Sequence, residues 1–239
     1  MKMIRKTAGS ILDAMMRYLT RKRSIVVFND RERTRPVSAV FGVDRGTPID
    51  RYYIEKFLQE NSGSIRGRVL EVGDSFYSRR FAGGKVDSFE VLHATPGNKA
   101  ATIIGDLTDP ATLPPNAFDC FICTQTYNFI FELDKAVEGA HYLLKPGGIL
   151  LSTVAGISQI SRYDMDRWGD FWRFTTASAQ KLFGPVFKGG LEIGSFGNVL
   201  AATAFLQGVS VEDLPDPTLL DYHDPDYQLL ITLVARKGL

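Results

Sequence analysis

The chain has only two cysteines and three histidines in 239 residues, and their placement excludes several chemistries. Cys120 and Cys123 lie in one strand-like run, AFDCFICTQ. Side chains three apart on a strand point to opposite faces, so this pair cannot easily bridge, and a reducing, cytoplasmic setting is expected. CxxC is half of a zinc pattern, but no second CxxC or HxxxH accompanies it. His93, His141 and His223 share no ligand spacing, so no metal site is expected. No apolar run approaches the roughly 20 residues of a membrane span, and the basic N-terminus lacks the apolar stretch of a signal peptide. G-x-S-x-G, G-x-x-x-x-G-K-[ST] and G-x-G-x-x-G are all absent. That argues against a nucleophile-elbow hydrolase, a P-loop enzyme and a dinucleotide-binding dehydrogenase. Basic residues do not alternate with stacking aromatics along a face, so no nucleic-acid partner is expected.

What is present is ordinary for a soluble globular chain: 44% hydrophobic and 23% charged residues, enough for one α/β domain with additions. The net charge of +1 hides an asymmetry, since residues 1–35 carry ten Lys/Arg against three acids, a surplus of +7 that leaves −6 for the remainder. Within that basic end, Ile4, Ala8, Ile11, Leu12, Met15, Met16 and Leu19 form one helical stripe. The stripe suits a helix packed on its own domain, or one in peripheral contact with an anionic membrane surface. Residues 1–45 are therefore read as a basic helical extension or lid, and 46–239 as the main domain. The oligomeric state is not legible.

GTPIDRYYIEKFLQENSG predicts a helix with Thr47 as cap, Pro48 in the first turn, Asp50 at the positive helix end and Gly63 as its stop. From Val69 onward, apolar strands and helices alternate. Strands are expected at 69–72, 86–94, 101–107, 117–125, 149–155, 191–196 and 227–237, with helices at 133–144, 175–183 and 198–208. Continuous apolar strands separated by helices indicate a mostly parallel sheet covered on both faces. Only DSFYSRRFAGG separates Gly73 from the second strand, so the first crossover helix is expected to shrink to about one turn.

In such sheets ligands bind beyond the carboxyl ends of the strands. Those ends read EVGD, HAT, GDL, CTQT and VAG. The succession VLEVG, GDL, FDCFICTQT and LLKPGGILL resembles the motif order of class I S-adenosylmethionine (SAM)-dependent methyltransferases over roughly residues 46–237, and the segments DRWGDFWRFT and DRGTPIDRYYIE are similar to ones in bacterial members found near glycosyltransferases. The resemblance implies a Rossmann-like seven-stranded α/β sandwich, with an antiparallel last strand and an insertion at 197–226. It implies SAM as cofactor. It places Glu71 near the cationic methionine end, Gly73 and Asp74 in the cofactor loop, Asp106 at the adenine amino group, the Leu107 N–H beside it, and Thr124 and Gln125 near the reacting methyl.

Two departures from the family pattern stand out. Ser75 and Tyr77 occupy positions where the glycine-rich turn commonly has glycines, and no acid ends the second strand, where a carboxylate would bind the ribose hydroxyls. His93 and Thr95 are the polar residues there. Three polar, aromatic stretches, 41–53, 158–175 and 213–227, are expected above the carboxyl edge. They supply acceptor-binding candidates Arg51, Tyr52, Trp168, Trp172 and Arg173, suited to stacking on or holding a sugar. Trp172 and Arg173 read equally as a core aromatic and an internally paired cation. Base candidates are Asp164, Asp166, Asp170 and His223, with His223 and Asp166 foremost. The expected activity is O-methylation of a sugar, glycan or similar small acceptor. O- or N-methylation of another metabolite, or an inactive binding or scaffold protein with the same fold, remains open.

Overall fold

The computed structural model describes residues 34–239. The helix expected over 4–19, and the membrane contact expected of it, lie outside the described residues. Residues 35–239 form one compact unit. Its seven strands are β1 (Gly67–Val72), β2 (Val86–His93), β3 (Ile103–Ile104), β4 (Phe118–Thr124), β5 (Leu144–Ala155), β6 (Leu191–Phe196) and β7 (Leu230–Arg236). They form one sheet in the order β3-β2-β1-β4-β5-β7-β6. β1 to β5 pair in parallel, and β7 runs antiparallel to both β5 and β6. The order reverses between β1 and β4, which opens a crevice at their carboxyl ends.

The helices are α1 (Ile49–Glu60), α2 (Phe76–Phe81), α3 (Leu133–Leu143), α4 (Arg162–Met165), α5 (Thr176–Phe187) and α6 (Val199–Leu206). Successive strand residues feed opposite layers, as the period of two requires. On β4, Cys120 and Ile122 join one core with Ile49, Tyr53 and Phe57 of α1 and Phe205 of α6, while Phe121 and Cys123 join the other with Val137 of α3 and Phe183 of α5. The two cysteines are thus buried, free and on opposite faces. Burial pushes the Cys123 thiol up to about 12, so neither a bridge nor a reactive thiolate is built here.

Several local expectations differ. Thr47 does not cap α1. Its hydroxyl and its N–H both donate to Glu212, at 2.7 Å each, and the helix ends at Glu60 with Asn61 as cap, ahead of Gly63. α5 runs past Phe183 through Pro185 to Phe187, because Phe183 and Phe187 both bury on the core. β3 keeps only two paired residues, since it is an edge strand with β2 as its one neighbour. The shortened crossover helix is observed: α2 has six residues. Residues 35–45 lie within the compact unit. Val37 donates to the Gln207 carbonyl, and Arg45 forks onto Asp213 at 2.7 and 2.8 Å.

Candidate active site

Two cavities open at the carboxyl edge and share Val72 as a wall. The smaller, of about 300 Å³, lies at the β1/β4 reversal and is lined by Arg51, Glu71, Val72, Asp74, Phe76, Tyr77 and Thr124. The larger, of about 970 Å³, runs from the ends of β2 and β3 to the loops after β4 and β5.

The strand–loop–helix after β1 is arranged around Glu71. This carboxylate is 3% exposed and accepts hydrogen bonds from the N–H groups of Tyr77 (3.1 Å) and Ser78 (2.7 Å). It therefore ties down the first turn of α2, and burial holds its pKa above the ordinary carboxylate value. Asp74 accepts from the Phe76 N–H at 2.8 Å. Gly73 has φ +86°, a conformation that favours glycine, and a Cβ there would meet no protein atom within 4 Å, because the cavity opens over it. Asn98 fixes the turn by donating to the Gly73 carbonyl at 2.5 Å. The loop is thus rigid without the usual glycines, held by one buried acid and one asparagine.

Asp106 and Leu107 reach the large cavity beyond β3. One Asp106 oxygen accepts from the N–H and hydroxyl of Thr108 (2.8 and 2.9 Å), and the other has no protein partner among the described residues. Gly139 of α3 permits this placement, since a Cβ on it would come within 2.0 Å of the Leu107 carbonyl. Gln125 stands in the left-handed region, at φ +48°, and donates its N–H to the Thr153 carbonyl at 2.8 Å. A non-glycine residue held there marks backbone strain at the cavity wall. His93 lines the cavity, but its Nδ1 is engaged with Thr95 in a local turn, at 2.8 Å from the carbonyl and 3.2 Å from the N–H. Only Nε2 remains for a ligand.

The expected cofactor residues are thus brought together: Glu71, Asp74 and Thr124 at the small cavity, and Gly73, His93, Thr95, Asp106, Leu107 and Gln125 at the large one. The expected acceptor and catalytic residues are divided. Arg51 lines the small cavity and Trp168 the large one. Tyr52 instead donates to Asp221 on the flank of α1, at 3.0 Å. Trp172 donates its indole N–H to the Ile130 carbonyl at 3.0 Å and packs against the core. Arg173 grips Asp170 at 2.5 and 2.8 Å and also donates to the Gln159 carbonyl. His223 lies 3.0 Å from the Ser195 hydroxyl, and exposed Asp166 stands 3.4 Å from Arg162; neither lines a cavity. The stretch 213–227 is tied to the segment ahead of α1 through Asp213–Arg45 and to α1 itself through Asp221–Lys56, and none of its residues lines either cavity.

Asp50 was read only as a helix-end charge. It lies one residue before Arg51 and on the same helical face as Tyr53, Ile54 and Phe57. Its carboxylate accepts from the Arg51 N–H at 2.8 Å, and burial raises its pKa to about 6. Burial also lifts the Tyr77 hydroxyl to about 12. The helical stripe alone held the signal for Asp50, at positions 50, 53, 54 and 57.

Residues 76–152 match a family model described as "Methyltransferase domain". A 113-residue stretch is 33% identical to a highly reducing polyketide synthase of Strobilurus tenacellus, and spans 42% of this chain and 4% of that protein. Among solved structures, the [4+2]-cyclase SpnF superposes with a TM-score of 0.53 at 19% identity, covering 82% of this chain and 84% of that one. A Haemonchus contortus phosphoethanolamine N-methyltransferase 2 in complex with S-adenosyl-L-methionine gives 0.53 at 13% identity, over 79% and 53%. At such identities the structural likeness speaks to fold, and the fold is common to a cyclase and an N-methyltransferase. The matched stretch thus resembles a methyltransferase domain, and the compact unit that contains it carries that shared fold.

Proposed function

We propose that the protein transfers the methyl group of SAM to a hydroxyl of a small sugar or glycan acceptor. The carrying observation is the pair of cavities that meet at Val72. The small one opposes the Arg51 cation to the Glu71 and Asp74 carboxylates, which suits an amino-acid zwitterion. The large one offers a free Asp106 oxygen and the Leu107 N–H, which suits the edge of an adenine. SAM joins those two chemistries and supplies an electrophilic methyl on a sulfonium. The two ends then lie on either side of Val72 and Gly73, whose missing Cβ leaves room for close approach.

Acceptor recognition is assigned to the mouth of the large cavity. Phe131, Trp168, Phe171 and Tyr163 present exposed rings there, Phe131 at 62% and Trp168 at 40%. Aromatic faces bury the apolar face of a sugar ring. Trp172 and Arg173 contribute by holding that loop. His223 and Asp166 stand outside both cavities, and no base is assigned in their place. Fixing acceptor and methyl in line supplies much of the rate. A second reading, methylation of another small metabolite, draws on the stretch shared with the polyketide synthase.

Calorimetric titration with SAM and S-adenosylhomocysteine tests the cofactor assignment, and absence of binding at millimolar ligand overturns it. Incubation of methyl-labelled SAM with a panel of pyranosides and a panel of hydroxylated polyketides then separates the acceptor readings by which panel is labelled.

A further inference from the structure

We propose that Asp164, carried by the loop after β5, binds the ribose hydroxyls of the cofactor in place of the acid that β2 lacks. The inference rests on the SAM reading above. A ribose diol presents two O–H donors, and a carboxylate is the side chain that accepts both with charge assistance. β2 ends at His93 and is followed by Ala94-Thr95, with no acid. Glu90, inside the strand, is held by the Arg68 guanidinium at 2.5 and 3.0 Å and does not line the cavity. His93 has one ring nitrogen to spare and offers at most a single contact.

The large cavity is lined by three carboxylates: Asp106, Glu132 and Asp164. Asp106 belongs to the turn beyond β3, at the adenine end. Glu132 immediately precedes α3, on the β4 side of the mouth. Asp164 is the one tied to the β2 end. Its backbone carbonyl accepts the Trp168 N–H at 2.7 Å, and the Trp168 ring stands edge-on to His93 with centroids 5.9 Å apart. One of its carboxylate oxygens accepts from the Ser161 hydroxyl at 2.5 Å, and the other has no protein partner among the described residues.

The loop that carries Asp164 is anchored from beneath. The Asp170 side chain is 1% exposed and grips Arg173. Asp170 also accepts from the Ser161 N–H at 2.9 Å, and Arg173 donates to the Gln159 carbonyl at 2.6 Å. The buried Asp170 and its partly exposed partner Arg173 tie the segment from Gln159 to Arg173 together, so the Asp164 carboxylate is oriented before any ligand arrives. Pre-organisation of this kind spares the ordering cost on binding.

The test is calorimetric and needs no acceptor. S-adenosylhomocysteine and its 2′,3′-dideoxy analogue are titrated into the full chain, as parent and as Asp164→Asn, with circular dichroism to confirm that the variant folds. The parent is expected to bind the dideoxy analogue at least about tenfold more weakly than S-adenosylhomocysteine. Asp164→Asn is expected to lose about tenfold for S-adenosylhomocysteine and to match the parent on the analogue, because a neutral amide keeps one acceptor but not the charge. Equal binding of S-adenosylhomocysteine by parent and variant overturns the assignment. So does an equal loss on both ligands, which would mean that Asp164 only shapes the loop. A parent that binds the two ligands alike overturns it without reference to the variant. A parent that binds neither overturns the SAM reading itself.

Discussion

The Trp168 indole stands edge-on to the His93 imidazole, with ring centroids 5.9 Å apart and planes at 76°. This contact joins the loop after β5 to the end of β2, two segments distant in sequence, and closes one side of the large cavity. The loop after β5 thereby supplies both one wall of the large cavity and part of its aromatic mouth.

That contact makes Trp168 a reporter. The chain has two tryptophans, and Trp172 is anchored on the Ile130 carbonyl away from the cavity lining. Addition of S-adenosylhomocysteine is expected to change the tryptophan emission of the parent and of Trp172→Phe, and to leave Trp168→Phe unchanged. Trp168→Ala is expected to weaken binding by about 1 kcal/mol through loss of aromatic packing. A response that survives in Trp168→Phe would place the ligand elsewhere.

Asp106→Ala is expected to weaken SAM binding by about 1–3 kcal/mol, since a cavity-facing charged acceptor is lost. Calorimetry measures it. Unchanged affinity in a folded variant would reduce Asp106 to its turn contact with Thr108.

Gly139→Ala probes how the turn at Asp106 and Leu107 is positioned. Its Cβ would meet the Leu107 carbonyl at 2.0 Å, so α3 or the 106–107 turn must move. Overpacking of this kind costs about 1–3 kcal/mol, visible in urea unfolding. A fall in S-adenosylhomocysteine affinity is expected alongside. A stability loss without any affinity loss would separate the packing of α3 from the cofactor site.

Asp50 gives a pH signature of definite sign. Its folded pKa is raised by burial to about 6, above the unfolded value. Below the unfolded value both states are protonated and no penalty exists. As pH rises through the window between the unfolded value and about 6, the unfolded state ionises first and the folded state loses relative stability. Above about 6 the penalty is complete, about 1–3 kcal/mol. Asp50→Asn removes the titration, so the variant is expected to gain stability over the parent between pH 4 and pH 7. Thermal unfolding across that range checks it, and parallel curves for the two proteins would show that Asp50 is solvated and ordinary.

Much of the architecture was legible in the sequence, because the placement of strands and helices follows from patterns local to each segment. Apolar runs such as AFDCFICTQ and ILLSTVA read as buried strands, LDKAVEGAHYLL as a helix stopped at KPGG, and the short gap after Gly73 as a one-turn crossover. That several of the expected cofactor residues would line cavities at the sheet's carboxyl edge was legible for the same reason. Glu71, Gly73, Asp106 and Gln125 lie at strand ends, and in a parallel sheet every carboxyl end opens on one edge. The cysteine pair was equally decided by period: three apart on a strand means opposite faces, whatever the rest of the chain does.

Only the tertiary structure decided which polar side chains outside the strands face the site. Arg173 and Arg51 are both arginines in polar, aromatic stretches, and nothing local tells them apart. Burial of Asp170 beneath the loop captures Arg173, while Arg51 is left at the cavity. Tyr52 and His223 were drawn away by partners on α1's flank and on β6, Asp221 and Ser195, which are far from them in sequence. Asp50 gained its raised pKa from desolvation, a property of the packed interior and not of the helix start that the sequence shows. Periodicity and strand ends are encoded over a few neighbouring residues, whereas pairing and burial of long polar side chains depend on which distant segments the fold brings alongside them.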